Sequence, residues 1–242
     1  MKKYKHLFFD LDGTLWDLYK NTELALRQLV VEFELQELDF DSFYQHYHHH
    51  NEIVWALYRE GKIKKEVLRT ERFSRAFLEL GIEKSVDFYE RFAERFLEVC
   101  PALPHRVEGA LELLNSLKGR YHMHIITNGF KEVQGIKMKA AGIDHFFEEI
   151  INSEDAGVKK PDRGIYEFAL QKANALPDHS IMIGDDWDAD ILGARDFGID
   201  QVFLTKTERM QNELRGKANN LIRHNYKPTL TVDDLHELIS FF

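Results

Sequence analysis

Residues 6–13, His-Leu-Phe-Phe-Asp-Leu-Asp-Gly, constrain the fold more than any other stretch of the chain. His6 to Phe9 is a short apolar run without alternation, the pattern of a parallel strand covered on both faces. The run stops at Asp10; Asp12 follows two residues later, and Gly13 lets the backbone turn tightly. Open α/β sheets bind ligands at the carboxyl ends of their strands, so two carboxylates are delivered where such a fold does its chemistry. Taken alone, the same residues would also serve as plain turn formers. Three later stretches favour the chemical role.

Between about Trp16 and Phe96 no further β-rich run occurs, and apolar residues recur at helical spacing. Leu24, Leu26, Leu29, Val30 and Phe33 predict one helix behind a cap at Asn21 or Thr22. Phe73, Phe77, Leu78 and Leu80 predict a second, stopped by Gly81, and Phe88, Phe92, Phe96 and Leu97 a third. Residues 16–96 therefore read as an all-helical insertion, a lid over Asp10, with 1–15 and 97–242 forming the core domain.

From Cys100 strands and helices alternate again, which implies βαβ units. Val107 to Leu117 is amphipathic and closed by Gly119; strands are expected at 122–127, 147–151, 181–184 and 201–205, and helices at 131–141, 163–174 and 188–197. Thr231-Val-Asp-Asp234 resembles a capping box ahead of a last helix bearing Leu235, Leu238 and Ile239. The expected fold class is α/β: a Rossmann-like doubly wound parallel sheet carrying an inserted helical cap domain.

With 44% hydrophobic residues among 242, the chain has material for a sizeable core. No apolar run approaches the roughly 20 residues that span a bilayer, and Met-Lys-Lys-Tyr-Lys-His leads into a strand rather than a signal-peptide core. The expectation is a cytoplasmic protein with no membrane partner. Cys100 is the only cysteine, which excludes an intrachain disulfide and a Cys-based zinc site and suits a buried structural thiol. A net charge of -9 speaks against a nucleic-acid polymer as partner, because little would drive counterion release. A small anionic substrate needs only local positive charge. The oligomeric state stays open, a monomer included.

His46 and His50 would share a helical face at metal-ligand spacing, but no third ligand lies nearby, so His46, His48, His49 and His50 are read as structural or solvent-exposed. The basic run from Lys206 to Lys227, with Arg209, Arg215, Lys217 and Arg223, is read as a solvated helix or loop.

Four stretches begin at the carboxyl end of a predicted strand or in the following loop: Asp10-Leu-Asp12, Thr127-Asn128-Gly129, Lys159-Lys160-Pro161, and Gly184-Asp185-Asp186-Trp-Asp188-Ala-Asp190. A doubly wound sheet gathers such ends on one edge, bringing carboxylates, a hydroxyl, backbone amides and a lysine together. In order and spacing they resemble the four motifs of the haloacid dehalogenase superfamily, in the form whose helical cap follows the first motif.

The resemblance implies a magnesium-dependent hydrolase that cleaves small phosphomonoesters through an aspartyl-phosphate. Asp10 would be the nucleophile, and Asp12 the general acid for the leaving oxygen and then the base for water. The dehalogenases of the superfamily lack an acid at the position of Asp12, so carbon–halogen cleavage is disfavoured. Thr127 and the amides near Asn128 and Gly129 would bind phosphoryl oxygens. Lys160 would relieve repulsion between Asp10 and the phosphate, with Lys159 the competing residue. Asp10, the carbonyl of Asp12 and Asp185 would hold Mg2+, and Asp190 would steady a metal-bound water or Lys160. Asp186 stands where the superfamily often has Ser, and with Asp188 either tightens the metal site or caps the helix that begins there.

A looser resemblance, over Asn51-Glu-Ile-Val-Trp55, Tyr58, Gly61-Lys-Ile63 and Arg72-Phe73, points to the YjjG-like nucleotidase branch. It implies a nucleoside 5'-monophosphate as substrate, with Trp55, Tyr58 or Phe73 stacking on the base and Arg72 meeting a polar edge. Phosphomutase and pyrophosphatase chemistry are alternatives at the same nucleophile, and a non-catalytic signalling module phosphorylated on Asp is the alternative of another class.

Overall fold

The structure, a computed structural model, describes residues 4–205 and 226–242. Most of the predicted basic run, 206–225, lies outside them. Within the described residues the chain divides into a sheet unit, 4–18, 104–205 and 226–242, and a helical unit, 19–103.

The sheet unit is built on six parallel strands: β1 (His6–Phe9), β2 (His122–Thr127), β3 (Glu149–Asn152), β4 (Ser180–Gly184), β5 (Asp200–Leu204) and β6 (Leu230–Val232). Their order is β3-β2-β1-β4-β5-β6. The chain thus winds outward on one side of β1 through β2 and β3, then crosses to continue on the other side with β4. The reversal lies between β1 and β4, where Phe9 pairs with Ile183, and such a switch point leaves a crevice at the strands' carboxyl ends. Leu7, Phe8 and Phe9 are fully buried, as the unalternated run predicts.

The third strand starts at Glu149 rather than Phe147, and β6 was not anticipated. Thr231 lies within β6, so the capping box sits three residues later. The N–H groups of Asp233 and Asp234 donate to Glu237 Oε1, and the N–H of His236 donates to Asp234 Oδ1, ahead of a short helix at Glu237–Phe241.

The helical unit carries Leu18–Glu32 (α1), Phe40–Arg59 (α2), Lys65–Glu79 (α3) and Val86–Val99 (α4). It runs to 103 instead of the expected 96 because α4 continues to Val99 and a 3-10 turn at Cys100–Ala102 follows. Asn21 and Thr22 are buried inside α1, which begins at Leu18, so neither caps it. Ser85 caps α4 by accepting the Phe88 N–H, and Asp39 caps α2 by accepting that of Ser42. The interior is aromatic: Phe43, Phe73, Phe77 and Phe92 are fully buried, with Phe73 and Phe92 edge to face at 5.2 Å.

Candidate active site

Asp10 follows β1 directly, and its N–H donates to Ile183 O at 2.9 Å, carrying the β1–β4 pairing one residue past the strand. Its Oδ1 accepts a hydrogen bond from Lys160 Nζ at 2.6 Å. Lys160 is 2% exposed, and its ammonium spends two further donors on Asp190 Oδ1 at 2.6 Å and Ile126 O at 2.8 Å. An ammonium has three protons, so this set satisfies it completely. Lys160, not Lys159, makes these bonds.

The Lys160 loop is held by Asn128. Asn128 Nδ2 donates to Lys160 O at 2.9 Å, and Lys160 N–H donates back to Asn128 Oδ1 at 2.8 Å. The side chain of Asn128 is committed to this clamp, which leaves its backbone amide, the group expected near the phosphoryl oxygens, for such contact. Thr127 closes β2, and its Oγ1 accepts the Gly129 N–H at 3.0 Å. Asn152, at the end of β3, donates to Gly129 O at 2.6 Å and fixes the turn from the other side.

After β4 comes Asp185, whose Oδ1 accepts from Thr14 Oγ1 at 2.9 Å. Gly13 has φ +90, and a Cβ there would lie 2.4 Å from Asp185 Oδ2, so only glycine lets the first loop pass this carboxylate. The next segment is a wide π-helical turn at Trp187–Leu192 that runs into the helix Gly193–Phe197, in place of one regular helix from 188. Asp186 Oδ1 accepts the N–H groups of Asp188 at 3.0 Å and Ala189 at 2.9 Å and so caps this turn, while Asp188 is exposed. The turn brings Asp190 inward to full burial, its Oδ2 accepting the Asp186 N–H at 3.1 Å.

Asp10, Asp185 and Asp190 each present an oxygen within 4.8 Å of the others. Burial raises the proton affinity of Asp10; Lys160 pulls it down, and the charges of Asp190 and Asp12 push it back up. Burial and the neighbouring Asp10 likewise hold Asp185 well above the usual carboxylate range, and burial raises Asp190. For Lys160, burial opposes the charged form, but Asp10 and Asp190 outweigh it and keep the ammonium. With all three carboxylates ionised, as they would be around a bound cation, the single ammonium leaves two negative charges, the amount a divalent cation cancels. The donors are all oxygen, which fits a hard ion such as magnesium.

Asp12 meets the helix Lys131–Ala140, where Lys137 Nζ donates to Oδ1 at 2.6 Å and Gln134 Nε2 approaches Oδ2 at 3.4 Å. Neither residue was foreseen, nor was Thr14. Thr14 stands two residues after Asp12, and its local sequence carries no sign of the Asp185 contact. Lys137 and Gln134 carried one signal, polar residues one helical turn apart on a side of the helix that also buries Val133 and Met138.

The helical unit holds the residues proposed for a base. Trp55 is partly exposed and meets Tyr58 edge to face at 5.7 Å; Tyr58 is buried. Arg72 is buried, donates to Asn51 Oδ1 at 3.4 Å, and lies over the rings of Phe73 at 4.8 Å and Phe96 at 5.0 Å. Phe73 is fully enclosed by Tyr47, Phe92 and Phe96, so it belongs to the core and cannot stack on a ligand. Among the histidines, His48 is buried against Tyr19 and His50 pairs with Glu79 at 2.9 Å. Among the described residues, the acidic triad is the one group of His, Cys, Asp and Glu side chains close enough to share a metal ion. Cys100 is a buried free thiol, and no described helix is long and apolar enough to cross a membrane.

Comparison with known proteins agrees with this geometry. The chain is 33% identical over 238 residues to the pyrimidine 5'-nucleotidase YjjG of Escherichia coli, covering 98% of this chain and 96% of that one. It is 34% identical over 202 residues to the pyrimidine 5'-nucleotidase PynA of Streptococcus pneumoniae, covering 83% of each. The magnesium-bound crystal structure of the HAD-hydrolase YfnB of Bacillus subtilis superposes with a TM-score of 0.83 at 26% identity, over 99% of both chains. The model of the haloacid dehalogenase-like hydrolases matches residues 4–198. This chain belongs to the haloacid dehalogenase-like hydrolase family.

Proposed function

We propose that this hydrolase is a magnesium-dependent phosphatase acting on nucleoside 5'-monophosphates, pyrimidine nucleotides foremost. One observation carries the chemistry: an ammonium buried between Asp10 and Asp190, with Asp185 beside them, at the switch point of the sheet. Such a site draws in a phosphate and a cation together. The substrate class is supported by the two pyrimidine nucleotidase relatives.

In this reading a carboxylate oxygen of Asp10 attacks phosphorus as the ester P–O bond breaks, and Asp12 gives its proton to the departing nucleoside oxygen. Water then attacks the aspartyl-phosphate, Asp12 takes its proton, and Asp10 and inorganic phosphate are released. Lys160 stays between Asp10 and the phosphoryl oxygens; the Thr127 hydroxyl and the amides of its turn donate to those oxygens. Asp10, Asp185 and the Asp12 carbonyl would hold magnesium, which when bound neutralises charge on the phosphoryl group. Asp190 keeps Lys160 in place. In the helical unit, Trp55, Tyr58 and Arg72 are the residues through which the base would be chosen.

The test is phosphate release from nucleoside monophosphates, sugar phosphates and pyrophosphate, with magnesium and with EDTA. The expected result is magnesium-dependent release, fastest from pyrimidine monophosphates, and its loss in Asp10→Asn with the protein still folded. Undiminished release by Asp10→Asn would refute the mechanism. Isomerised sugar phosphate in place of free phosphate would point to a mutase.

A further inference from the structure

We infer that Lys137 and Gln134 are positioning residues for Asp12, fixing from the helix that follows the second motif the side chain that must deliver and recover the proton. The inference rests on the phosphatase mechanism proposed above and adds to it two residues from outside the four motifs.

The contact is built from several sides. Lys137 Nζ donates to Asp12 Oδ1 at 2.6 Å and Gln134 Nε2 reaches Oδ2 at 3.4 Å, so the two carboxyl oxygens are met by different residues one helical turn apart. Both donors are nearly buried, Lys137 at 8% and Gln134 at 1% exposure, against the surface location usual for these residue types. The Lys137 ammonium also lies 4.6 Å from the centre of the Trp16 ring, a fully buried indole whose backbone is bridged to Asp12 and Arg106. Ring and carboxylate together leave the ammonium little freedom.

The second motif is shaped to admit this contact. A Cβ on residue 129 would stand 1.7 Å from Gln134 Nε2 and 3.0 Å from Asp12 Oδ2. Glycine at 129 therefore does more than form a turn: its missing side chain is the space through which Gln134 meets Asp12. Gln134 Oε1 is buried and has no hydrogen-bond partner among the described residues. A buried acceptor left unsatisfied is costly, and core packing alone would be met at less cost by an apolar side chain. A surface ion pair needs none of these arrangements.

Asp12 follows Asp10 by two residues on a turn, and an aspartate free to change rotamer there would spend part of its time away from the leaving oxygen. Misplacement of a reacting group by about 1 Å costs on the order of 10²-fold in rate. Lys137 and Gln134 remove that freedom.

The experiment is a kinetic double-mutant cycle on the full chain with magnesium, reading kcat and KM for the best nucleoside monophosphate and inhibition by inorganic phosphate. Lys137→Met keeps the stem on Trp16 and removes the charge; Lys137→Arg restores a donor. We expect Lys137→Met to lower kcat on the order of 10²-fold while KM and the phosphate inhibition constant stay within about threefold. Lys137→Arg should recover most of kcat, and adding Lys137→Met to Asp12→Asn should cost almost nothing further. Gln134→Leu should lower kcat less, in the same pattern. Full activity of Lys137→Met overturns the inference. So does a loss that persists undiminished beside Asp12→Asn together with weakened phosphate inhibition, which would make Lys137 a phosphate ligand. Absence of phosphate release by the unaltered enzyme would instead end the phosphatase reading, and this inference with it.

Discussion

In the helical unit the largest fully buried side chains are rings, Phe43, Phe73, Phe77 and Phe92, packed at centroid distances such as 4.6 Å for Phe43 and Phe77. In the sheet unit the strands bury aliphatic side chains such as Leu7, Ile125, Ile181 and Val202 along with the rings of Phe8 and Phe9, and at or beyond their carboxyl ends the charged groups Asp10, Lys160 and Asp190 are buried as well. Rings gain contact area and need no partner. Buried charges exist only where each has a partner, because an unpaired ion in the interior costs several kcal/mol. The difference separates a scaffold from a site: substitutions in the ring cluster should be felt as stability, and substitutions in the charge cluster first as chemistry.

The sharpest break of this contrast is Lys160→Met, which leaves Asp10 and Asp190 facing each other without their shared ammonium. Turnover should fall on the order of 10³-fold or more, read as kcat at saturating substrate and magnesium. A variant within tenfold of the parent would deny Lys160 its place in the site. Phe92→Ala tests the other half. It should cost about 3–5 kcal/mol in denaturant unfolding, because the rings of Phe33, Phe43, Phe73, Phe77 and Phe88 surround it and cannot close the cavity. A cost under about 1 kcal/mol would mean that the cluster repacks freely.

The smallest effect is one the units share, and it limits the contrast. Burial lowers His48 in the helical unit and His124 in the sheet unit to about 4, His124 helped by the neighbouring His6. Each folded value lies below the unfolded value of about 6.5, so the unfolded chain binds the proton more readily. Stability is complete above pH 6.5, declines as pH falls from there, and has lost the whole contribution below about pH 4. The loss should be about 3 kcal/mol per histidine, and His48→Phe or His124→Phe should flatten its share of the pH profile. An unchanged profile in both variants would assign the acid sensitivity elsewhere.

Much of this was legible in the linear chain. The apolar run of β1 and the turn residues behind it are local signals; Asp10, Thr127 and Asp185 each stand at a predictable strand end, and Lys160 lies in a loop beyond β3. The misses have local causes too. β6 has only three residues and adjoins acids that looked like a helix cap. The long helix Phe40–Arg59 was not marked out because its core positions are Phe43, Tyr47, His48, Val54 and Tyr58, a mixture without an aliphatic stripe. Asp190 was expected to steady either a metal-bound water or the lysine; its 2.6 Å contact favours the lysine.

By itself, then, the sequence determined which residue types end which strands, because strand propensity, turns and hydrophobic period depend on neighbours in the chain. Only the tertiary structure decided which partner each of those side chains has. Lys160 is 150 residues from Asp10 and Lys137 is 125 from Asp12, yet both contacts are 2.6 Å. Such pairs are set by strand order and by the angle of a packed helix, quantities that no local pattern encodes.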